Sequence, residues 1–169
     1  IIAYDVLKKY IQRYQAESGS IVLVEAKSGN ILSMANYPSF DPEKRQTYRG
    51  IKIKNRAIYD LIEPGSTIKP FIIYAALRNK VIDKSTIIDT APGVIKLDNK
   101  EIKDWKYLGK VSTSDIIKLS SNIGAAKVSK KLSKKQLTRN LDSFGFGQTL
   151  FLNLPGSKIG SIPSHNSLS

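Results

Sequence analysis

The chain predicts an α+β fold. Three observations carry that reading: a helical apolar period near the N-terminus, an apolar hairpin pattern directly after it, and helix-capping signatures in the second half. Val6, Leu7, Tyr10, Ile11 and Tyr14 recur at helical spacing, so a helix is expected over residues 3–17, with Gly19 as its stop. Residues 20–26 read as a strand, Lys27-Ser28-Gly29-Asn30 as a turn and residues 31–35 as the returning strand. Gly-Asn between two apolar, β-prone runs is a strong hairpin signal. A two-stranded hairpin is marginal in water by itself. Either another segment completes the sheet or its edges are open to a neighbouring chain.

Residues 37–55 are polar and turn-rich, with Pro38 and Pro42, and are expected to form a loop. A helix is expected from Ser66 to about Asn79, because Pro70 then falls in the first turn, where its missing N–H costs nothing. Residues 80–111 carry short mixed elements and an Ala91-Pro92-Gly93 turn. Ser112-x-x-Asp115 and Ser133-x-x-Gln136 are capping-box patterns that open helices, the second of which ends at Gly145. Between them a helix is expected over residues 122–132. The organisation read from this is a helix-and-hairpin part at 1–36, a lead-in at 37–65, a helical subdomain at 66–150 and a loop-like tail at 151–169.

Composition narrows the function classes. At 169 residues and 41% apolar content the chain can build a real core, one that buries roughly 70% of the unfolded surface. The absence of cysteine excludes disulfides and cysteine-held metals, and with a single histidine, His165, neither a multi-histidine metal site nor a histidine-based triad is expected. No run of about 20 apolar residues exists to span a membrane. The net charge of +13 would suit a polyanion such as nucleic acid, cell wall or a membrane face. However, most of it is lysine in scattered pairs (Lys8-Lys9, Lys130-Lys131, Lys134-Lys135) on helical stretches, as expected of solvated faces. No basic recognition motif accompanies them, so nucleic acid is not the expected partner.

The most informative stretch is Glu63-Pro64-Gly65-Ser66-Thr67-Ile68-Lys69-Pro70. Three residues is nearly one helical turn, so Ser66 and Lys69 share a face. A hydroxyl becomes a nucleophile when a base takes its proton, and an amine one turn away can do so once its pKa is lowered. Ser66 is the candidate nucleophile and Lys69 the candidate base. A serine before an apolar run also serves as a plain helix cap, so the surroundings must decide.

A second constellation, Ser120-Ser121-Asn122-Ile123-Gly124, lies between two expected helices. There Ser120 can relay protons and Asn122 can hold a peptide amide by its carbonyl and N–H. Ser-x-Asn alone says little. Ser28-Gly29-Asn30 and Ser164-His165-Asn166 match it too and read as turn and tail.

Together, Ser66-Thr67-Ile68-Lys69 and Ser120-Ser121-Asn122 resemble the transpeptidase domain of penicillin-binding proteins, class B, of the cell-division type. Residues 17–24 and 28–35 resemble that family's opening hairpin. Asn36 to Pro42 and Asn55-Arg56-Ala57 resemble its lead-in, and Phe144-Gly145-Phe146-Gly147 with Leu154-Pro155-Gly156 its later landmarks. Ser157 departs from the acidic residue expected after Pro-Gly. The resemblance implies a partial serine β-lactamase-like fold and D,D-transpeptidation without a cofactor. A β-lactamase or β-lactam-sensor relative shares both patterns, though the Glu63-Pro64-Gly65 lead-in favours the transpeptidase, and a non-catalytic interaction fragment is the other alternative. Peptidoglycan stem peptides would be the substrate and β-lactams would acylate Ser66. It assigns Lys69 as general base, Ser120 as proton relay, Asn122 as substrate ligand and the Ser66 N–H as half of the oxyanion hole.

The family's third motif, Lys-Thr/Ser-Gly, is expected on a later strand. Lys27-Ser28-Gly29 matches it only in letters and sits in the expected hairpin turn. The chain is therefore expected to be a fragment of a longer enzyme, inactive alone, lacking the C-terminal strands and able to self-associate through its hairpin edge. The parent would be anchored on the outer, periplasmic face of the cytoplasmic membrane by a segment outside this chain. There it would work with divisome membrane proteins.

Overall fold

The computed structural model describes residues 1–41, 43, 44, 46, 54–97, 100–149 and 154–162. These divide into two compact units, Ile1–Ile62 with Thr149–Ile159, and Glu63–Gln148 with Gly160–Ser169.

The first unit holds helix α1 (Ile2–Arg13), strands β1 (Gly19–Val24) and β2 (Ile31–Tyr37), and the one-turn helix α2 (Arg56–Tyr59). The helix is shorter than its apolar period suggests. Tyr14 caps it and Gln15 turns left-handed at φ 52°, so Gly19 does not stop the helix. Instead Gly19 opens β1 where α1 lies against the sheet. A Cβ there would stand 2.8 Å from Ile11 Cδ1 and 3.1 Å from Leu7 Cδ1, so a side chain would fit only if these side-chain ends moved aside. β1 and β2 form the expected antiparallel hairpin, Gly19 opposite Tyr37, with one irregularity between Leu23 and Val24. Asn36 ties the hairpin to α2. Its Oδ1 accepts from Ser20 Oγ at 2.7 Å and from the Ala57 N–H at 2.9 Å, while its Nδ2 donates to Asn55 Oδ1 at 2.8 Å. Farther along the chain, the Lys158 N–H donates to the Ile58 carbonyl at 2.8 Å, and the Lys158 and Lys54 amines lie 4.1 and 4.3 Å from the Tyr59 ring centre.

The second unit mixes helices with short strands. A 3₁₀ turn (Gly65–Ile68) leads into α3 (Lys69–Arg78). Strands β3 (Ile87–Asp89), β4 (Val94–Leu97), β5 (Lys100–Lys103) and β6 (Lys110–Ser112) follow, then α4 (Thr113–Lys118), α5 (Asn122–Ser129) and α6 (Lys134–Ser143). β3 pairs with β6 and β4 with β5, both antiparallel. Ile73, Ala75, Ala76, Ile88, Val111, Ile116, Ala125 and Val128 form the core, to which every helix but α6 contributes a fully buried member. Both expected capping boxes are present, Ser112 with Asp115 and Ser133 with Gln136, each exchanging side-chain and backbone bonds. Gly145, at φ 84°, ends the α6 region as a C-terminal glycine does.

The Phe144-Gly145-Phe146 landmark gains a physical role. Phe71 on α3 meets the rings of Phe144 and Phe146 edge-on, each at 5.0 Å, and Tyr74 meets Phe144 at 5.1 Å. Such pairs add about 0.5–1.5 kcal/mol each beyond area burial. They hold the first turns of α3, which carry Lys69. No described helix is long and apolar enough to cross a membrane. The paired lysines Lys8, Lys9, Lys130, Lys131, Lys134 and Lys135 are all exposed. His165 and the rest of Ser164-His165-Asn166 lie outside the described residues, as do Pro42 and most of the stretch 45–53.

Candidate active site

Ser66 lies in the 3₁₀ turn, one turn earlier than the α-helix expected to carry it. Its carbonyl accepts the Lys69 N–H, closing the turn, and its side chain is exposed. Gly65 at φ 55° makes the sharp approach to this turn. Lys69 is the first residue of α3, and Pro70 follows in the first turn as expected. Thus the serine stands at the surface while the lysine points inward, and Lys69 is only 6% exposed.

The buried amine of Lys69 meets the second constellation. Its Nζ donates to the Ser120 carbonyl at 2.6 Å, to Ser120 Oγ at 2.9 Å and to Asn122 Oδ1 at 2.6 Å. An ammonium has three protons, and here it has three acceptors. Among the described residues no carboxylate pairs with it. Burial therefore pushes its pKa below that of an ordinary lysine, while the charge of Asp104 pulls the other way. No hydrogen bond links the Ser66 hydroxyl to Lys69. Lys69, Ser120 and Asn122 are thus bonded together, and Ser66 stands on the adjoining turn.

Local sequence explains why Ser120 and Asn122 reach the lysine. α4 ends at Lys118, and Ser120 adopts φ 53°, left-handed and unusual for a residue with a side chain. Ser121 then caps α5 through a bond from the Gly124 N–H to its Oγ at 2.8 Å. The corner between two helices is only Leu119 to Ser121 long, so the Ser120 carbonyl and hydroxyl turn toward Lys69. Gly124 allows the close packing: a Cβ there would sit 2.8 Å from Ile116 Cγ1 and 2.9 Å from Ser121 Oγ.

Two residues not singled out in the sequence support this corner. Ser121 is completely buried, and its hydroxyl donates to Asp104 Oδ2 at 2.8 Å. The other oxygen of Asp104 accepts from the N–H groups of Asn122 and Ile123. No local sequence signal marks Asp104, since the bonds it makes span 17 to 19 residues. Asn122 Nδ2 also donates to the Lys103 carbonyl at 2.9 Å, which fixes the amide with its oxygen toward Lys69. The letter match Lys27-Ser28-Gly29 belongs to the hairpin turn of the first unit, where Ser28 bonds to Glu25 and Asn30.

Chemically, this arrangement provides an exposed hydroxyl, a buried amine one turn on, a second hydroxyl on that amine, and an amide with a fixed orientation. These parts suit nucleophilic acyl transfer.

Comparison with known proteins places the chain in a family. Residues 19–169 match the family model described as the penicillin binding protein transpeptidase domain. A "Probable peptidoglycan D,D-transpeptidase PbpC" of Pseudomonas aeruginosa is 39% identical over 164 residues, covering 97% of this chain and 29% of that protein. The "Peptidoglycan D,D-transpeptidase FtsI" of Buchnera aphidicola is 37% identical over 168 residues, covering 99% of this chain and 29% of that protein. Among solved structures, the transpeptidase domain of Burkholderia pseudomallei penicillin-binding protein 3 superposes with a TM-score of 0.85 at 27% identity. That match covers 99% of this chain and 46% of that one. The chain thus spans under a third of the length of these curated relatives.

Proposed function

The chain belongs to the family of penicillin-binding-protein transpeptidase domains, and from that premise we propose that its parent protein is a serine D,D-transpeptidase that cross-links peptidoglycan. The observation that carries the reading is the Lys69 amine, held between Ser120 Oγ and Asn122 Oδ1 one turn after Ser66. The names of the relatives supply the substrate class.

In this mechanism Lys69, as the neutral amine, takes the Ser66 proton, and Ser66 Oγ attacks the carbonyl carbon of a D-Ala-D-Ala peptide bond. The Ser66 N–H forms half of the oxyanion hole. The C–N bond breaks, Ser120 passes a proton to the departing D-Ala amine, and an ester to Ser66 remains. An amine of a second stem peptide then attacks the ester and restores the serine. Asn122 holds the donor's amide. A β-lactam follows the first half only, because its opened ring keeps the leaving amine attached.

A septal role, work beside divisome membrane proteins and a periplasmic location complete the proposal. They rest on the resemblance to cell-division members and on relatives bearing the FtsI name. For the 169 residues alone we propose little or no acylation, because the family's third motif supplies the second cation and oxyanion donor.

The test is covalent labelling of the full-length parent by a fluorescent penicillin. One label per molecule is expected, and Ser66→Ala should abolish it. Labelling that survives this substitution would refute the assignment. The 169-residue chain serves as a second sample, in which stoichiometric, Ser66-dependent labelling would overturn the claim of inactivity.

A further inference from the structure

Asp104 takes no part in the chemistry above, yet its buried carboxylate accepts three hydrogen bonds beside the site. It is 9% exposed and lies just after β5. One oxygen takes the N–H groups of Asn122 and Ile123, the first two residues of α5. The other takes the buried Ser121 hydroxyl at 2.8 Å. A carboxylate on the first N–H groups of a helix is favourable both as a charge-assisted acceptor and toward the helix dipole. It also fixes position. Ser121 and Asn122 are the two residues that follow Ser120, so three bonds from one side chain pin the backbone from which both partners of Lys69 project. The neighbouring Lys103 carbonyl holds Asn122 Nδ2 at 2.9 Å, so residues 103 and 104 together grip the Asn122 backbone and side chain.

We propose that Asp104 is the positioning residue of this site: it clamps the corner at Ser120–Asn122 so that Ser120 Oγ and Asn122 Oδ1 both stay within reach of the Lys69 amine. The claim rests on the acyl-transfer reading of Ser66 and Lys69 and adds to it the part that holds their partners in register. A well-oriented group is worth much in rate, and a misplacement of about 1 Å can cost on the order of 10²-fold.

The experiment compares Asp104→Ala and Asp104→Asn in the full-length parent, reading acylation per folded molecule, thermal midpoint and amide exchange. Asp104→Ala removes all three acceptor bonds. It should slow acylation roughly 10- to 100-fold and expose the Asn122 and Ile123 amides to exchange. Asp104→Asn keeps an acceptor for both amides and should restore the rate to within about fivefold, with protection largely recovered. A lower midpoint with an unchanged rate in Asp104→Ala would reduce Asp104 to a folding role and overturn the proposal. Asp104→Asn as slow as Asp104→Ala would overturn it too, since charge and not the clamp would then matter. If the wild-type protein takes no label on Ser66, the acyl-transfer reading fails separately. Amide exchange needs no acylation and still decides whether Asp104 holds the corner.

Discussion

The Lys69 amine and the Asn122 side-chain carbonyl meet at 2.6 Å although 53 residues separate them in sequence. That contact joins the start of α3 to the start of α5. It forms only if both helices begin where they do, so it reports on the fold and the chemistry at once.

Titration of Lys69 is the first consequence. Burial disfavours its ammonium and lowers the pKa, and Asp104 opposes this in part. The rate of penicillin acylation in the parent should therefore rise with pH through a limb below the ordinary lysine value of about 10.4. Lys69→Arg cannot shed its proton and should lose about 10²- to 10⁴-fold. An acid limb at or above the ordinary value would contradict this. Linkage has a definite sign. Between the lowered pKa and about 10.4 the unfolded chain binds more protons, so this site's contribution to stability rises with pH across that window and is flat below it.

Ser120 separates chemistry from stability. Its left-handed φ of 53° costs about 1 kcal/mol for a residue with a Cβ and nothing for glycine. Ser120→Gly relieves that strain but leaves the buried Lys69 amine one acceptor short, so the two effects should roughly cancel in stability while acylation falls by about 10²-fold, because the hydroxyl on Lys69 is gone. Thermal melts paired with labelling kinetics check it, and a large drop in the melting midpoint would count against this account.

Gly124 is limited by space. Gly124→Ala forces a methyl against Ile116 and Ser121 and should destabilise by about 1–3 kcal/mol. Gly160, with nothing within 4 Å of an added Cβ, is the control, and Gly160→Ala should be near neutral. Denaturant titration of both variants decides. Equal midpoints would mean that the core around Ile116 yields more easily than its geometry implies.

The hairpin exposes Val22, Leu23, Val24, Ile31 and Leu32. Open apolar edges pair with one another. The 169-residue chain on its own should self-associate as concentration rises, and Leu23→Lys should weaken this. Sedimentation velocity is the check; a monomer throughout would dismiss the edge as its cause.

Much of this was legible in the residues because the signals are local. The Gly-Asn hairpin turn and the two capping boxes depend on neighbours within four positions, and all three formed where expected. Ser66-x-x-Lys69 and Ser120-x-Asn122 could be recognised as patterns, though only folding puts the amine of one against the oxygens of the other. What escaped the sequence was tertiary. The end of α1 at Tyr14, the 3₁₀ turn under Ser66 and the close approach at Gly19 answer to packing and not to local preference. Asp104 is an ordinary charged residue until β5 brings it beneath α5. The aromatic contacts of Phe71 span α3 and the end of α6, a separation no periodicity reveals.

The bookkeeping of protons around Lys69 has one further meaning. With three hydrogens and three acceptors already matched, the amine becomes neutral only if one of these contacts is released or reversed, as when the Ser120 hydroxyl donates to it instead. A ligand whose amide engages Asn122 takes away just such an acceptor. Occupancy and ionisation are then thermodynamically linked, so binding should shift the lysine's titration, and the pH should in turn shift affinity by the same factor. The pocket would sense its own cargo, with the base released when there is something to act upon.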